Sequence, residues 1–309
     1  MQGLSYDYHF IDLFRRLKDG EEAGHIHSIF QRVVNFTDGE HNMFSVATKD
    51  IDNAPYTLRI DGVADFRDLV SEGDKLYRDG NRLMVGDGLS ITIVENRLWI
   101  GNCIEKSKVD PMIIAKNIEY FNEMILNCSP MGGAKYSYLK NILGIDMIEG
   151  PSLIEKELSN RIERFLYGIY EYDIKVKDLN RLIGFGVGLT PSGDDFLVGF
   201  LSALNSIDTE YINNIFDGIV ELIDIEDIST TDISKQMIRI AIDGQAREYI
   251  SGFIRAFSEA DRDGFIHSYR NILRIGSSSG MDISIGIAMA FHFILDTKNW
   301  RLEDEEDIG

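Results

Sequence analysis

Residues 184–200 read GFGVGLTPSGDDFLVGF, and the architecture of the chain follows from how this run is understood. Glycines at 184, 186 and 188 free the backbone for left-handed or extended turns that a Cβ resists. Thr190-Pro191-Ser192-Gly193 comes next, then the paired carboxylates Asp194 and Asp195, then an apolar run from Phe196 to Leu201. Thr190 or Ser192 can cap a helix, and Pro191 suits a first helical position. Asp195 completes a Ser-x-x-Asp capping pattern with Ser192. The expectation is a glycine-rich turn feeding the N-terminus of a buried helix, whose unpaired N–H groups and dipole favour an anion.

The pattern has an echo. Ser192-Gly193-Asp194-Asp195-Phe-Leu-Val-Gly199 aligns with Ser279-Gly280-Met281-Asp282-Ile-Ser-Ile-Gly286 as Ser-Gly-x-Asp-x-x-x-Gly. Small residues Gly276-Ser277-Ser278 precede the second copy. A third polar entry, Ser229-Thr230-Thr231-Asp232, opens another helix between the two. One Ser-x-x-Asp cap is common and needs no ligand. Alternating glycines and a second copy go beyond capping, so the two helix starts are read as converging on a ligand. The residues assigned to bind it are Gly186, Gly188, Thr190, Ser192, Gly193, Asp194, Thr230, Thr231, Ser278, Ser279 and Gly280. Carboxylates pointed at an anion would repel it. Asp194 and Asp195 are therefore read as capping the helix, orienting hydroxyls or an amide-bearing substrate, or holding a divalent cation, for which no further ligand residue speaks.

Outward from this block, the first hundred residues have a different texture. After a short helix around Phe10, β-prone runs at 26–36, 43–48, 56–60, 82–85, 90–94 and 97–100 alternate with Asp-Gly and Asn turns. This is the pattern of an antiparallel sheet or small barrel, with Glu95-Asn96 as a two-residue hairpin turn. Past Cys103 apolar residues recur at helical spacing over 110–127, 151–172, 211–225, 232–242, 245–257 and 262–275. Residues 129–150, with Pro130, Gly132, Gly133 and Gly144, read as loop. The expected fold class is α+β: a β-rich region over 1–103, a mainly helical domain over 104–300 carrying the site, and an acidic, solvated and disordered tail over 301–309.

Composition narrows the function. The 309 residues carry a formal net charge of -20 with a pI near 4.6, and 44% are hydrophobic. Such a balance argues against nucleic acid and anionic membranes as partners, which call for Lys and Arg. It leaves room for a small anion held by local dipoles. Cys103 and Cys128 are too few for a metal cluster or disulfide framework. No signal-peptide pattern opens the chain, and the apolar runs near 196–204 and 283–294 fall short of the ~20 residues of a membrane span. A reduced cytoplasmic protein is expected.

Other site readings fail on the residues. Gly188 to Gly193 has the Walker A gap, but Asp194 and Asp195 stand where Lys and Ser/Thr are needed. Leu189 spoils a dinucleotide fingerprint, and no cofactor motif is present. His25 and His27 share a strand face as a metal pair without a third ligand. His292 lies on an apolar helix as a core residue, and no base is identifiable for a nucleophilic serine.

The block resembles the hallmark Gly-x-Gly-x-Gly-Leu-Thr-Pro-Ser-Gly-Asp-Asp-Phe-Leu-x-Gly of a bacterial domain-of-unknown-function family, and this chain carries it throughout. The resemblance extends to Thr230-Thr231-x-Ile233-Ser234, to Ser278–Asp282 and loosely to the first hundred residues. Ser277 stands where members of that family often carry a histidine. One branch of the family resembles a subunit of oxamate carbamoyltransferase, which interconverts oxalurate and phosphate with oxamate and carbamoyl phosphate. The resemblance implies a carbamoyltransferase subunit with partner subunits and a small anionic substrate, either phosphate, carbamoyl phosphate or a small carboxylate. Asp195 and Asp282 would then be catalytic, orienting the carbamoyl NH₂. Two rival readings remain, a non-catalytic anion-binding or scaffold subunit and a metal-dependent hydrolase using Asp194 and Asp195.

Overall fold

The computed structural model of the chain describes residues 1–101, 103–127, 133–145 and 150–306, with side chains described to residue 296. Contacts gather it into two compact units: Met1–Cys103 with Ala246–Glu248, and Ile104–Gln245 with Tyr249–Gly309. The fold is α+β.

In the first unit eight strands form one sheet. They are β1 (Gly3–Tyr6), β2 (Glu22–Ile29), β3 (Val33–Thr37), β4 (Met43–Thr48), β5 (Thr57–Ile60), β6 (Lys75–Asp79), β7 (Arg82–Val85) and β8 (Leu89–Thr92). Their order is β1-β5-β4-β3-β2-β6-β7-β8. Between β1 and β2 lies α1 (Tyr8–Arg16), started by Asp7, whose carboxylate accepts the N–H of His9 at 3.3 Å and of Phe10 at 3.0 Å. Capping fixes the first turn, so Phe10, Ile11 and Phe14 turn inward. The Phe10 ring then meets Phe36 and Phe44 edge-on, at 6.2 and 6.0 Å between centroids.

One strand pair departs from the expected antiparallel pattern: β4 and β5 run parallel, with Ser45 opposite Thr57. The chain turns into β5 at Tyr56, which adopts φ 58. The run 26–36 is not one strand. It folds back at residues 30–32 into the β2–β3 hairpin, closed by Phe30 N–H donating to Val33 O at 2.7 Å. Residues 97–100 do not form a strand and make a single bridge, Leu98 to Tyr6, although Glu95-Asn96 does turn, with Asn96 at φ 64.

The second unit is helical. It contains α2 (Pro111–Asn127), α3 (Lys135–Asn141), α4 (Leu153–Tyr170), α5 (Val176–Leu182), α6 (Ser192–Asn205), α7 (Glu210–Val220), α8 (Asp232–Ile242), α9 (from Glu248 to Ser258), α10 (Arg262–Ile272) and α11 (Ser279–Glu306). Helix α6 is buried on every side from Gly193 to Asn205, which is why its sequence is apolar all round and shows no stripe. It packs on α11 through backbone. A Cβ at Gly199 would strike the Ile283 carbonyl, and one at Gly286 the Phe196 carbonyl. Polar contacts between the starts of the two helices precede these along both chains, so α6 and α11 begin at the same end and run in the same direction.

Short helices escaped the sequence reading. α3 lies inside the stretch expected to be loop, and α5 has only seven residues, too few to show a period. Helix α11 is longer than its apolar run. Its window Ser279–Asp296, mean hydropathy 1.2, is long and apolar enough to cross a membrane by composition, but 78% of it is buried inside the protein. The backbone of α11 continues to Glu306, through most of the acidic run expected to be disordered. Cys128, Pro130, Gly132 and the last acidic residue, Asp307, lie outside the described residues.

Candidate functional site

Two glycine loops and two helix starts build the site, and they match pairwise. Gly193 follows the first serine of α6 and sits where a Cβ would strike the Leu182 carbonyl at the end of α5. Gly280 does the same against the Ile272 carbonyl that ends α10. Each Ser-Gly pair therefore lets its helix start directly against the end of the helix before it. Glycine is required there by close approach and not by a ligand.

The helix-start amides are already taken up by protein. Gly193 N–H donates to Phe185 O at 2.8 Å and Gly280 N–H to Ile275 O at 2.9 Å. The amides of Asp194 and Asp195 bond to Pro191 O at 2.9 and 3.1 Å, and those of Met281 and Asp282 to Ser278 O at 2.9 and 3.2 Å. The expected row of free N–H groups is thus largely satisfied from within. Gly186 closes down on the Ser192 amide, where a Cβ would collide.

What the two starts share is side chains. The Thr190 and Ser279 hydroxyls bond across at 2.8 Å, joining the approach to α6 with the first residue of α11. Asp195 and Asp282 face this junction from equivalent positions, 1% and 0% exposed. Neither oxygen of Asp195, and only one of Asp282, has a hydrogen-bond partner among the described residues. The Ser279 and Thr190 hydroxyls lie near Asp195, and the Ser192 hydroxyl near Asp282, but outside hydrogen-bonding geometry. The copies thus cross over, each helix's serine standing by the other's aspartate. Burial pushes Asp195 well above the usual carboxylate range, and the nearby Asp282 charge adds to the rise. Burial likewise pushes Asp282 up to about 7. A carboxyl placed as Asp282 is can hold or release a proton near neutral pH.

Asp282 has one fixed partner, the Ala134 N–H at 2.6 Å, just before α3. A Cβ at Gly133 would run into the same carboxylate. The next residue, Lys135, is 4% exposed, and burial lowers its pKa. The sequence reading missed Gly133, Ala134 and Lys135, and the glycine pair at 132–133 was the one available signal.

The remaining assigned residues divide. Asp194 faces away from the junction: it accepts Gly184 N–H at 2.7 Å and the Thr230 hydroxyl, tying the glycine loop to the approach to α8. Thr231 caps α8 through Ser234 N–H and donates its hydroxyl to Leu189 O at 2.6 Å. These three residues hold the loop. Gly188 and Ser278 are exposed, as is Ser277. His292 is engaged in the core with the Tyr138 hydroxyl at 2.9 Å. Among the described residues no group of three His, Cys, Asp or Glu side chains is arranged to hold a metal ion.

Residues 182–291, which span α6, α8 and the start of α11, match the family described as oxamate carbamoyltransferase subunit AllH. Residues 2–98 match the AllH family N-terminal domain. No solved structure matches the chain.

Proposed function

The chain belongs to the AllH family of oxamate carbamoyltransferase subunits, and from this premise we propose that its paired helix starts hold the amide end of a carbamoyl substrate. One observation carries the reading. Three buried carboxylate oxygens, two on Asp195 and one on Asp282, lack partners among the described residues. A buried acceptor without a donor costs about 1–3 kcal/mol, more when charged, so a ligand that brings N–H groups restores what the fold leaves out. The NH₂ of carbamoyl phosphate, oxalurate or oxamate is such a donor. An anion alone is not, and the helix amides that would have received one are mostly bonded within the protein.

The chemistry suits these groups. When phosphate attacks oxalurate, a P–O–C bond forms at the carbamoyl carbon and the C–N bond to oxamate breaks. The departing nitrogen then takes one proton. Asp282, pushed up to about 7, can carry that proton at neutral pH, and in the reverse direction can accept it from the attacking amide. Asp195 orients the carbamoyl NH₂, and the hydroxyls of Thr190, Ser192 and Ser279 are placed to answer charge developing on its oxygen. Partner subunits complete the enzyme.

The test is carbamoyl transfer between oxamate and carbamoyl phosphate by the assembled enzyme. Asp195→Asn and Asp282→Asn should each lower kcat/KM by about 10²-fold or more while the assembly stays intact. Full activity in both variants would remove this chain from the chemistry.

A further inference from the structure

We infer that the site has an asymmetric gate, in which residues 276–279 swing away from Thr190 to admit the ligand while Asp194 holds Thr190 still. The inference rests on the proposed function and deepens it by saying how the ligand enters. Asp195 and Asp282 are 1% and 0% exposed, so no substrate N–H reaches their unpartnered oxygens in the closed form. Beside Asp195 lie Thr190 and Ser279, each only partly buried and joined by the hydroxyl bond at 2.8 Å. This pair stands between the carboxylate and solvent, and it has to part before a ligand can bind. A bond between two neutral hydroxyls next to water is worth little, which suits a latch.

The two leaves are the entry loops of α6 and α11, and the sequence echo shows why they differ. In Ser-Gly-x-Asp the variable place is Asp194 in the first copy and Met281 in the second. Asp194 accepts the Gly184 N–H at 2.7 Å and the Thr230 hydroxyl, and Thr231 donates to Leu189 O at 2.6 Å, one residue before Thr190. Side chains thus fix the first leaf at both ends. Met281 is turned into the core, its sulfur 3.9 Å from the Tyr269 hydroxyl, and offers the second loop no acceptor of that strength. Gly276, Ser277 and Ser278 are exposed, and among the described residues no side-chain hydrogen bond holds them. Gly276, at φ 59, takes a conformation that a Cβ resists and gives this leaf its hinge. The leaf is tied to α11, where Ser278 O accepts the Met281 and Asp282 N–H groups at 2.9 and 3.2 Å. Such bonds at a helix end open at small cost.

The experiment locks the gate in the full chain. Thr190→Cys and Ser279→Cys are combined with Cys103→Ser and Cys128→Ser, which leaves one pair to oxidise, and oxamate is titrated by calorimetry before and after crosslinking. The expected result is binding in the reduced chain, a loss of at least about 30-fold on oxidation because the open form is removed, and recovery with reductant. Unchanged affinity in the fully crosslinked chain overturns the gate. Since the cysteine pair replaces site hydroxyls and can weaken binding by itself, amide relaxation dispersion on the wild-type chain gives the second reading. Amides of 277–279 should show microsecond-to-millisecond exchange that saturating oxamate quenches, while those of 187–190 stay flat. Thr230→Val, which cuts one tie to Asp194, should bring exchange to 187–190 as well, and Thr230→Ser should abolish it again. Flat profiles at 277–279, or equal exchange in both loops of the wild type, overturn the inference. The gate and the amide reading fail separately. Oxamate bound as well by the crosslinked chain removes the gate and leaves the amide reading; a wild-type chain that binds no oxamate removes the amide reading, and the exchange of its two loops still judges the gate.

Discussion

Asp282 is 0% exposed and accepts one N–H, from Ala134, for a carboxylate with room for more. Burial raises its pKa from 3.8 to about 7, so the folded protein holds this proton more tightly than the unfolded chain does. Stability from this group is accordingly highest below pH 4, falls as pH rises from about 4 to about 7, and is level above that. Asp195, also raised, bends the curve the same way. Asp282→Asn keeps an oxygen for Ala134 and removes the titration. It should leave stability at pH 4 nearly unchanged and raise it at pH 8, by about 4 kcal/mol at most. Urea unfolding at the two pH values reads this, and a loss of stability at pH 8 would mean that the ionised carboxylate is satisfied in the fold. At this scale the sequence was informative about which residues meet and less so about which way each one faces. The Ser-Gly-x-Asp echo located Asp195 and Asp282. It matched Asp195 and not Asp194 to Asp282, yet Asp194 was still assigned to the ligand, whereas it turns the other way to hold Gly184 and Thr230. Adjacent helical residues point about 100° apart, and only packing decides which one faces the partner helix.

Among elements, the α6–α11 pair is the feature on which the site depends. Gly199 and Gly286 let the two backbones touch, so even a methyl group at either position must push the helices apart. Gly199→Ala and Gly286→Ala should each destabilise by about 1–3 kcal/mol or more and widen the Thr190–Ser279 junction. Gly218→Ala in α7 and Gly252→Ala in α9 are the controls, since nothing lies within 4 Å of a Cβ there. They should stabilise by about 0.5–1 kcal/mol through helix propensity. Equal effects at all four sites in denaturant unfolding would refute the close crossing. The long elements were legible: α8 was expected at its observed bounds, and α10 and α2 nearly so, because each shows an apolar stripe. β1 and β6 were not, since four or five residues mixing polar and apolar types carry no period. α3 was hidden by the glycines before it, and Lys135 was hidden with it.

As a whole molecule, the chain combines an N-terminal sheet with a helical unit that contains every residue of the proposed site. The β-rich and helical textures of the two regions were visible in the sequence. Invisible there were the parallel β4–β5 pair and the return of Ala246–Glu248 to the first unit, both of which are set by contacts distant in sequence. Turnover is proposed for an assembly with partner subunits, whereas ligand recognition can be asked of this chain directly. Oxamate and pyruvate have the same size, shape and carboxylate and differ by NH₂ against CH₃. Titrating both into the wild-type chain asks whether the buried oxygens of Asp195 and Asp282 receive N–H donors. The expected result is oxamate binding at least about 10-fold tighter than pyruvate, a gap that closes in Asp195→Asn. Pyruvate binding as tightly as oxamate to the wild-type chain would contradict the account.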